Sequence, residues 1–206
     1  MRVTRALALA VLLGGLTLGA YAVSVPAKAV LAQILLQRAW HATRHDGAPH
    51  RPWPGAEHWP VARLHFPTLD ESHIVLEGDG GHVLAFAPGR NPRSAKPGTP
   101  GTTVISAHRD THFNRLGALQ VGDPITLEHE GGSTDYRVST TRVVDARDTT
   151  IAIRDRHELV LVTCWPLRAI DPGGPHRFVV FARADPAAPA GSRIDLGQTF
   201  AARSLP

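Results

Sequence analysis

The stretch Glu158-Leu-Val-Leu-Val-Thr-Cys164 decides the fold, because it is a run of strand-forming residues that ends on a cysteine. A second run of the same kind, Arg177-Phe-Val-Val-Phe-Ala-Arg-Ala184, follows after a short connection. If the two strands pair as antiparallel neighbours, the end of the first lies beside the start of the second. Cys164 and Arg177 then share one edge of a sheet.

Further strand and turn signals precede this pair. β-branched or alternating runs between Gly- and Pro-rich turns predict strands at residues 61–66, 73–76, 102–106, 124–130 and 134–145. Two glycines at 131 and 132 separate the last two runs, which favours a hairpin. Helical periodicity between the runs is scarce. The pattern therefore predicts a mostly β domain, either a barrel or a sandwich.

Composition excludes several classes of protein. The 206 residues suit one compact domain with a leader or tail. A single cysteine, Cys164, rules out an intramolecular disulfide, a CxxC redox pair and a cysteine zinc cluster. The net charge of +4 is small and scattered, so we predict no nucleic-acid partner.

The N-terminus carries an uncharged run, ALALAVLLGGLTLGAYAVSV, at residues 6–25. As a helix it rises about 30 Å, the thickness of the hydrocarbon core of a bilayer. Arg2 and Arg5 precede the run, and the positive-inside rule places them in the cytoplasm. We predict a single-pass anchor in the cytoplasmic membrane with the domain outside. A cleaved signal peptide is the alternative, because Ala20-Tyr-Ala22 and Ala27-Lys-Ala29 resemble cleavage sites.

The segment after this run has two parts. Apolar residues recur at helical spacing up to residue 44, which predicts either an amphipathic juxtamembrane helix or a continuation of the anchor helix beyond Pro26. Residues 45–60 are rich in Pro, Gly and His and predict a linker, whose Trp53 packs on the domain or lies at the membrane interface. The expected organisation is an anchor at 1–25, a juxtamembrane helix and linker at 26–60, and a β domain at 61–206 that ends in an irregular tail.

Three residues at predicted strand ends carry complementary chemistry: Cys164, Arg177 and, just after the strand at 102–106, His108. A thiol with an ordinary pKa near 8.5 is only a few per cent thiolate at neutral pH. Arginine and protonated histidine both favour the thiolate and stabilise an oxyanion, and histidine can protonate a leaving amine. The set suffices for acyl transfer through a thioester. A buried structural thiol is the alternative.

A zinc site is the competing interpretation of the histidines. His108 and His112 are four residues apart, which would place both on one face of a helix. They follow a predicted strand instead, and the sequence offers no evident third ligand, whereas catalytic zinc sites normally have three. We therefore predict neither a metal nor another cofactor.

Other residues near the three are given lesser roles. Arg168 is the main rival of Arg177, but it lies in a loop with no strand to position it. Arg109 and Asp110 are expected to be solvated surface charges. Trp165 either lines a substrate groove or packs beneath it.

Three segments resemble the motif blocks of the sortase family. Val160-Leu-Val-Thr-Cys164 is similar to the signature Thr-Leu-X-Thr-Cys, with valine for the first threonine. Ala107-His-Arg-Asp-Thr-His-Phe113 resembles the histidine block, which usually begins with glycine, and Pro172-Gly-Gly-Pro-His-Arg-Phe-Val-Val180 resembles the arginine strand. The similarity extends over about residues 53–184. The pieces Cys-Trp-Pro-Leu and Pro-Gly-Gly-Pro are most similar to the sortase type of Gram-negative proteobacteria.

The resemblance implies a membrane-anchored cysteine transpeptidase on a closed or nearly closed eight-stranded β-barrel with short helices. Such enzymes cleave an LPXTG-like sorting signal between Thr and Gly, and an amine then resolves the acyl-enzyme. The matching positions make Cys164 the nucleophile, His108 the general acid and base, and Arg177 the oxyanion or substrate stabiliser. The implied mechanism requires no metal.

The implied partner is a substrate protein with a C-terminal LPXTG-like signal, while the amine acceptor stays open. The implied location is the inner membrane, with the catalytic domain on the periplasmic side. Two alternatives remain. One is a cysteine peptidase in which water resolves the thioester, and the other is a non-catalytic envelope β-barrel that binds peptides.

Overall fold

The computed structural model describes residues 2–169 and 173–185. A long helix, α1 (Arg2–Asp46), comes first, and a short helix, α2 (Gly81–Leu84), lies within the β domain. The strands of the described ranges are β1 (Pro60–Phe66), β2 (Glu71–Glu77), β3 (Gly89–Arg90), β4 (Thr102–Ser106), β5 (Pro124–His129), β6 (Gly132–Asp145), β7 (Glu158–Cys164) and β8 (His176–Ala184). Two 3-10 turns lie at Pro67–Leu69 and Leu116–Ala118. The tail expected after Asp185 lies outside the described residues.

These eight strands close into a barrel in the order β1-β2-β3-β4-β7-β8-β6-β5. The mostly β fold with a closed eight-stranded barrel is thereby confirmed. Neighbouring strands are antiparallel except for the pairs β2–β3 and β4–β7, which are parallel. Strand β3 is not among the strands predicted from the sequence, because its two residues are too few to show an alternating pattern.

Strands β4, β7 and β8 are apolar on both faces. Side chains alternate along a strand, so Leu159 and Leu161 of β7 enter the barrel core while Val160 and Val162 lie on its outer side. An outer-face cluster forms there from Val104, Val160 and Val179, with Val144, Ile151, Val162 and Phe181 packed against it. Burial of both faces explains the nearly continuous hydrophobic run that ends at Cys164.

Helix α1 continues without interruption through Pro26, so the segment after the apolar run is a continuation of the same helix and does not form a separate one. Its part from Leu12 onward is long and apolar enough to cross a membrane by length and composition. Near its C-terminal end, Leu36 and Trp40 are fully buried against β2 and α2, and Trp53 of the linker packs against the same cluster. The helix is therefore joined to the outside of the barrel.

Candidate active site

The pairing of β7 with β8 brings Cys164 and Arg177 together. The two strands are antiparallel, and Cys164 stands directly opposite Arg177 in their register. The ladder continues one residue further, where Trp165 N donates to the carbonyl of His176 at 3.1 Å. Side chains of directly opposed residues project from the same face of the sheet, with Cβ atoms about 5 Å apart. The shared sheet edge predicted from the sequence is thus present.

The pairing of β7 with β4 brings His108 to the other side of the thiol. These strands are parallel, with Ser106 opposite Val162. Beyond them, Ala107 N donates to the carbonyl of Val162 at 3.1 Å, and Thr163 Oγ1 donates to the carbonyl of Ala107 at 2.8 Å. Continuing this register by two residues places His108 level with Cys164. The cysteine therefore lies between the histidine and arginine segments.

The three residues lie on the outer face of the barrel. Cys164 follows Val160 and Val162 in the alternation of β7, and Arg177 precedes Val179 of the same outer-face cluster. Cys164 and Arg177 are half-buried and His108 is exposed. A partly exposed thiol beside cationic groups is the environment of reactive cysteines, whereas structural thiols are buried in apolar surroundings.

Backbone carbonyls hold the side chain of Arg177. Its Nη1 donates to the carbonyls of Gly174 and His176, both at 2.8 Å. Its rival Arg168 lies on an exposed turn after the cysteine. The regular strand geometry of Arg177 therefore gives it the more defined position beside the thiol.

Arg109 is buried, and its expected role as a surface charge is wrong. Only 3% of the residue is exposed, although the neighbouring His108 and Asp110 are exposed. Arg109 Nη1 donates to the carbonyl of Pro166 at 2.9 Å, and its Nε lies 3.4 Å from an Asp110 carboxylate oxygen. The side chain thus joins the loop that carries His108 to the loop that follows Cys164. In the sequence, the only feature that could have indicated this connecting role of Arg109 is its position directly after the candidate histidine.

The second histidine of the block, His112, belongs to a half-buried pair. Its ring lies edge-on to that of His73, with centroids 5.5 Å apart. Burial lowers the pKa of His112 to about 4, assisted by repulsion from protonated His73 and His108. Burial also lowers the pKa of His73, against the opposing effect of Glu71. Both rings are therefore neutral at neutral pH. Within residues 2–169 and 173–185, no three His, Cys, Asp or Glu side chains are placed to hold a metal.

Apolar packing secures the segments on both sides of the thiol. Trp165 stacks on Phe178, with ring centroids 5.9 Å apart and an interplanar angle of 26°, and packs against the barrel core. Ala107 and Val160 replace the glycine and threonine usual in the sortase motifs, and both are almost completely buried. These departures therefore change packing beside the site and leave its polar groups in place.

The closed barrel and its thiol-bearing edge are those expected of a cysteine transpeptidase, and comparison with known proteins agrees. The profile of the Sortase domain matches residues 64–185, more than half of the chain. The chain therefore belongs to the sortase family, whose members are cysteine transpeptidases.

Individual relatives support the same assignment. Sortase D of Bacillus subtilis (strain 168) is 31% identical over 122 residues, which cover 58% of this chain and 61% of that protein. Sortase A from Corynebacterium diphtheriae superimposes with a TM-score of 0.56 at 29% identity, covering 65% of this chain and 66% of that one. The catalytic domain of B. anthracis SrtD gives 0.53 at 29% identity, with 61% and 87% covered. The chain thus spans somewhat less than two thirds of the curated relative.

Replacing Arg109 tests its role as a connection between the two loops. We expect Arg109→Ala to lower the free energy of unfolding by about 1–3 kcal/mol, because the variant loses the hydrogen bond to Pro166 and the packing of a buried side chain. We also expect it to shift the pH profile of Cys164 alkylation, since the two loops lose their connection. Asp110→Asn, at the exposed partner of Arg109, is the matched control and should change stability by less than about 0.5 kcal/mol. Equal behaviour of the two variants would contradict the role.

The histidine pair predicts a pH dependence of stability. A histidine whose pKa is lowered in the folded state binds fewer protons there than in the unfolded chain, so stability is full above pH 6.5 and falls as the pH drops towards 4. Urea unfolding of the parent and of His112→Gln at several pH values measures the effect. We expect the variant to lose a smaller part of its stability between pH 6.5 and 4. If the free energy of unfolding falls equally with pH in the variant and in the parent, His112 does not contribute to the pH dependence.

Proposed function

We propose that this protein is a membrane-anchored sortase that cleaves an LPXTG-like sorting signal and transfers the acyl part to an amine. The register that places Cys164 between His108 and Arg177 is the single observation that carries the proposal. The substrate is a protein with the signal near its C-terminus.

In the proposed reaction, the Cys164 thiolate attacks the carbonyl carbon of the threonine in the signal. The carbonyl oxygen becomes an oxyanion, and Arg177 stabilises it with guanidinium N–H donors other than the one held by backbone carbonyls. Protonated His108 gives its proton to the departing glycine nitrogen as the C–N bond breaks. A thioester remains on Cys164.

The second half of the reaction reverses these roles. An amine attacks the thioester carbon, and neutral His108 accepts the proton that the amine loses. The C–S bond breaks, the thiolate leaves, and a new amide links the substrate to the amine. Arg177 and protonated His108 also favour the thiolate form of Cys164 between cycles.

A groove on the outer face of the barrel is suited to the apolar part of the signal. A cavity of about 330 Å³ lies on the outer face across β6, β8 and the first half of β7, and its Val144 stands opposite Arg177 in the strand register. Val160, Val179 and Phe181 form its floor, and Ile151 of the β6–β7 connection forms part of its wall. Arg142, Arg154 and Glu158 line the cavity as well. We propose that its apolar floor receives the leucine or proline of the signal.

Helix α1 supports the proposed location. We propose that its N-terminal part, residues 1–25, anchors the protein in the inner membrane, with residues 26–60 connecting it to a periplasmic catalytic domain at 61–206. The length and apolar composition of the helix support a single span. The Cys-Trp-Pro-Leu and Pro-Gly-Gly-Pro pieces of sequence support the proteobacterial sortase type.

Trapping of the acyl-enzyme tests the reaction. The full chain, in detergent, is incubated with a panel of LPXTG-like peptides and analysed by intact mass, with and without an added amine. We expect a thioester adduct on the parent, loss of the adduct in Cys164→Ala, and a peptide–amine product only when amine is present. A hydrolysed peptide as the sole product, with amine in excess, would favour the cysteine peptidase. An unmodified thiol across the panel would favour the peptide-binding barrel.

A comparison of two arginines tests the assignment of the oxyanion group. Arg177→Ala should slow formation of the thioester by at least about 100-fold, the usual effect of removing an oxyanion donor. Arg168→Ala is the matched control, because Arg168 lies on an exposed turn close to the same cysteine. Single-turnover kinetics should show it within a few-fold of the parent. The opposite ranking would transfer the role to Arg168.

A further inference from the structure

The contacts of helix α1 show in which direction it runs along the barrel. Gln33 Nε2 donates to the carbonyl of Phe86 at 2.8 Å, and four residues later Gln37 Oε1 accepts from Arg63 Nη2 at 2.6 Å. Near the end of the helix, Arg44 lies 3.8 Å from Glu128. The helix thus passes from the segment around Phe86 towards the end of β5.

The Phe86 segment belongs to the end of the barrel that holds the site. It leads into β3, whose Gly89 pairs with Ser106, the last residue of β4 before His108. The ring of His112, in the same loop as His108, is hydrogen-bonded to the backbone of Phe86. The chain N-terminal to Gln33 therefore leaves the barrel at its catalytic end.

The continuous helix sets the distance from this end to the apolar run. Gln33 lies eight helical steps after position 25, and at 1.5 Å a step the distance along the helix is about 12 Å. The headgroup layer on one side of a bilayer is roughly 5–8 Å thick. Because α1 has no break at Pro26, the catalytic end lies at or just above that layer when residues 6–25 span the hydrocarbon core.

The surface that faces this layer is apolar and aromatic. Val30, Leu31 and Ile34 of α1 are 61%, 54% and 45% exposed, and Phe86 is 37% exposed beside them. Trp53 lies edge-on to Phe86, with ring centroids 5.0 Å apart. Exposed aliphatic side chains continuous with a membrane span, next to an aromatic pair, are typical of the membrane–water interface.

We propose that this surface, formed by Val30, Leu31, Ile34, Phe86 and Trp53, rests on the outer boundary of the headgroup layer of the membrane. The catalytic end of the barrel then faces the bilayer. The proposal rests on the membrane anchoring in the proposed function. It adds the orientation of the barrel relative to the membrane.

Site-directed spin labelling of the full chain tests the orientation. Cys164→Ala removes the only cysteine, so Phe86→Cys in that background gives a single label site. Ile153→Cys is the matched control, because Ile153 is 53% exposed and lies at the other end of the barrel. Its neighbour Arg154 donates its backbone N–H to Thr102, at the start of β4 and away from His108. Both variants are reconstituted into phosphatidylcholine–phosphatidylglycerol vesicles. Collisions with oxygen and with a water-soluble nickel complex are then compared.

We expect the label at position 86 to collide with oxygen several-fold more, relative to nickel, than the label at 153. Equal ratios at the two positions would overturn the proposal, since Phe86 would then lie in water. Protection of position 86 from both reagents would also overturn it, because a protein partner would then cover the surface. The measurement needs no catalysis, and flotation of the vesicles tests anchoring separately, so failure of the proposed reaction would leave this result interpretable.

An insertion in α1 gives an independent test. Seven helix-forming residues inserted after Lys28 lift the barrel by about 10 Å and rotate it by only about 20°. The label at position 86 should then show the collision ratio of the label at 153. If its ratio keeps the original value, the barrel does not depend on the helix for its height, and the proposal fails.

Discussion

The site depends on one constraint, the simultaneous pairing of β7 with a parallel strand on one side and an antiparallel strand on the other. A shift of either register by one residue would move a partner of Cys164 to the opposite face of the sheet. Such a shift is costly here because both faces of β7 are buried. Leu161 would leave the barrel core and Val160 would leave the outer-face cluster. The apolar packing of β7 thereby fixes the positions of the polar residues around Cys164.

Polar contacts beyond the strand ends extend this constraint into the loops. Thr163 donates to the carbonyl of Ala107, directly before His108, and Arg109 donates to the carbonyl of Pro166, two residues after Cys164. Each bond joins the histidine segment to the cysteine segment, and each involves a buried side chain. Loops joined in this way keep an exposed histidine near a half-buried thiol.

Particular residues show how far the sequence predicts this arrangement. The antiparallel neighbours Cys164 and Arg177 follow from two apolar runs with a short connection, since such runs commonly pair. The level position of His108 requires the parallel pairing of β4 with β7, which joins strands far apart in the chain and has no local signal. The burial of Arg109 is equally non-local, because its partner is a carbonyl 57 residues away. The local sequence pattern therefore predicts the strands. Which residues meet at the site depends on the order of the strands around the barrel, which the local pattern does not give.

The continuity of α1 links the anchor to the chemistry through geometry. A flexible linker would let the barrel sample many heights above the membrane, and ordering it for reaction would cost conformational entropy. Here the helix that could cross the bilayer is also attached to the barrel, through Leu36 and Trp40. A substrate confined to the membrane would then meet a catalytic end held at one height, which raises its effective concentration. The long helix and the buried tryptophan would thus act on the rate of encounter, and the strand register on the reaction itself.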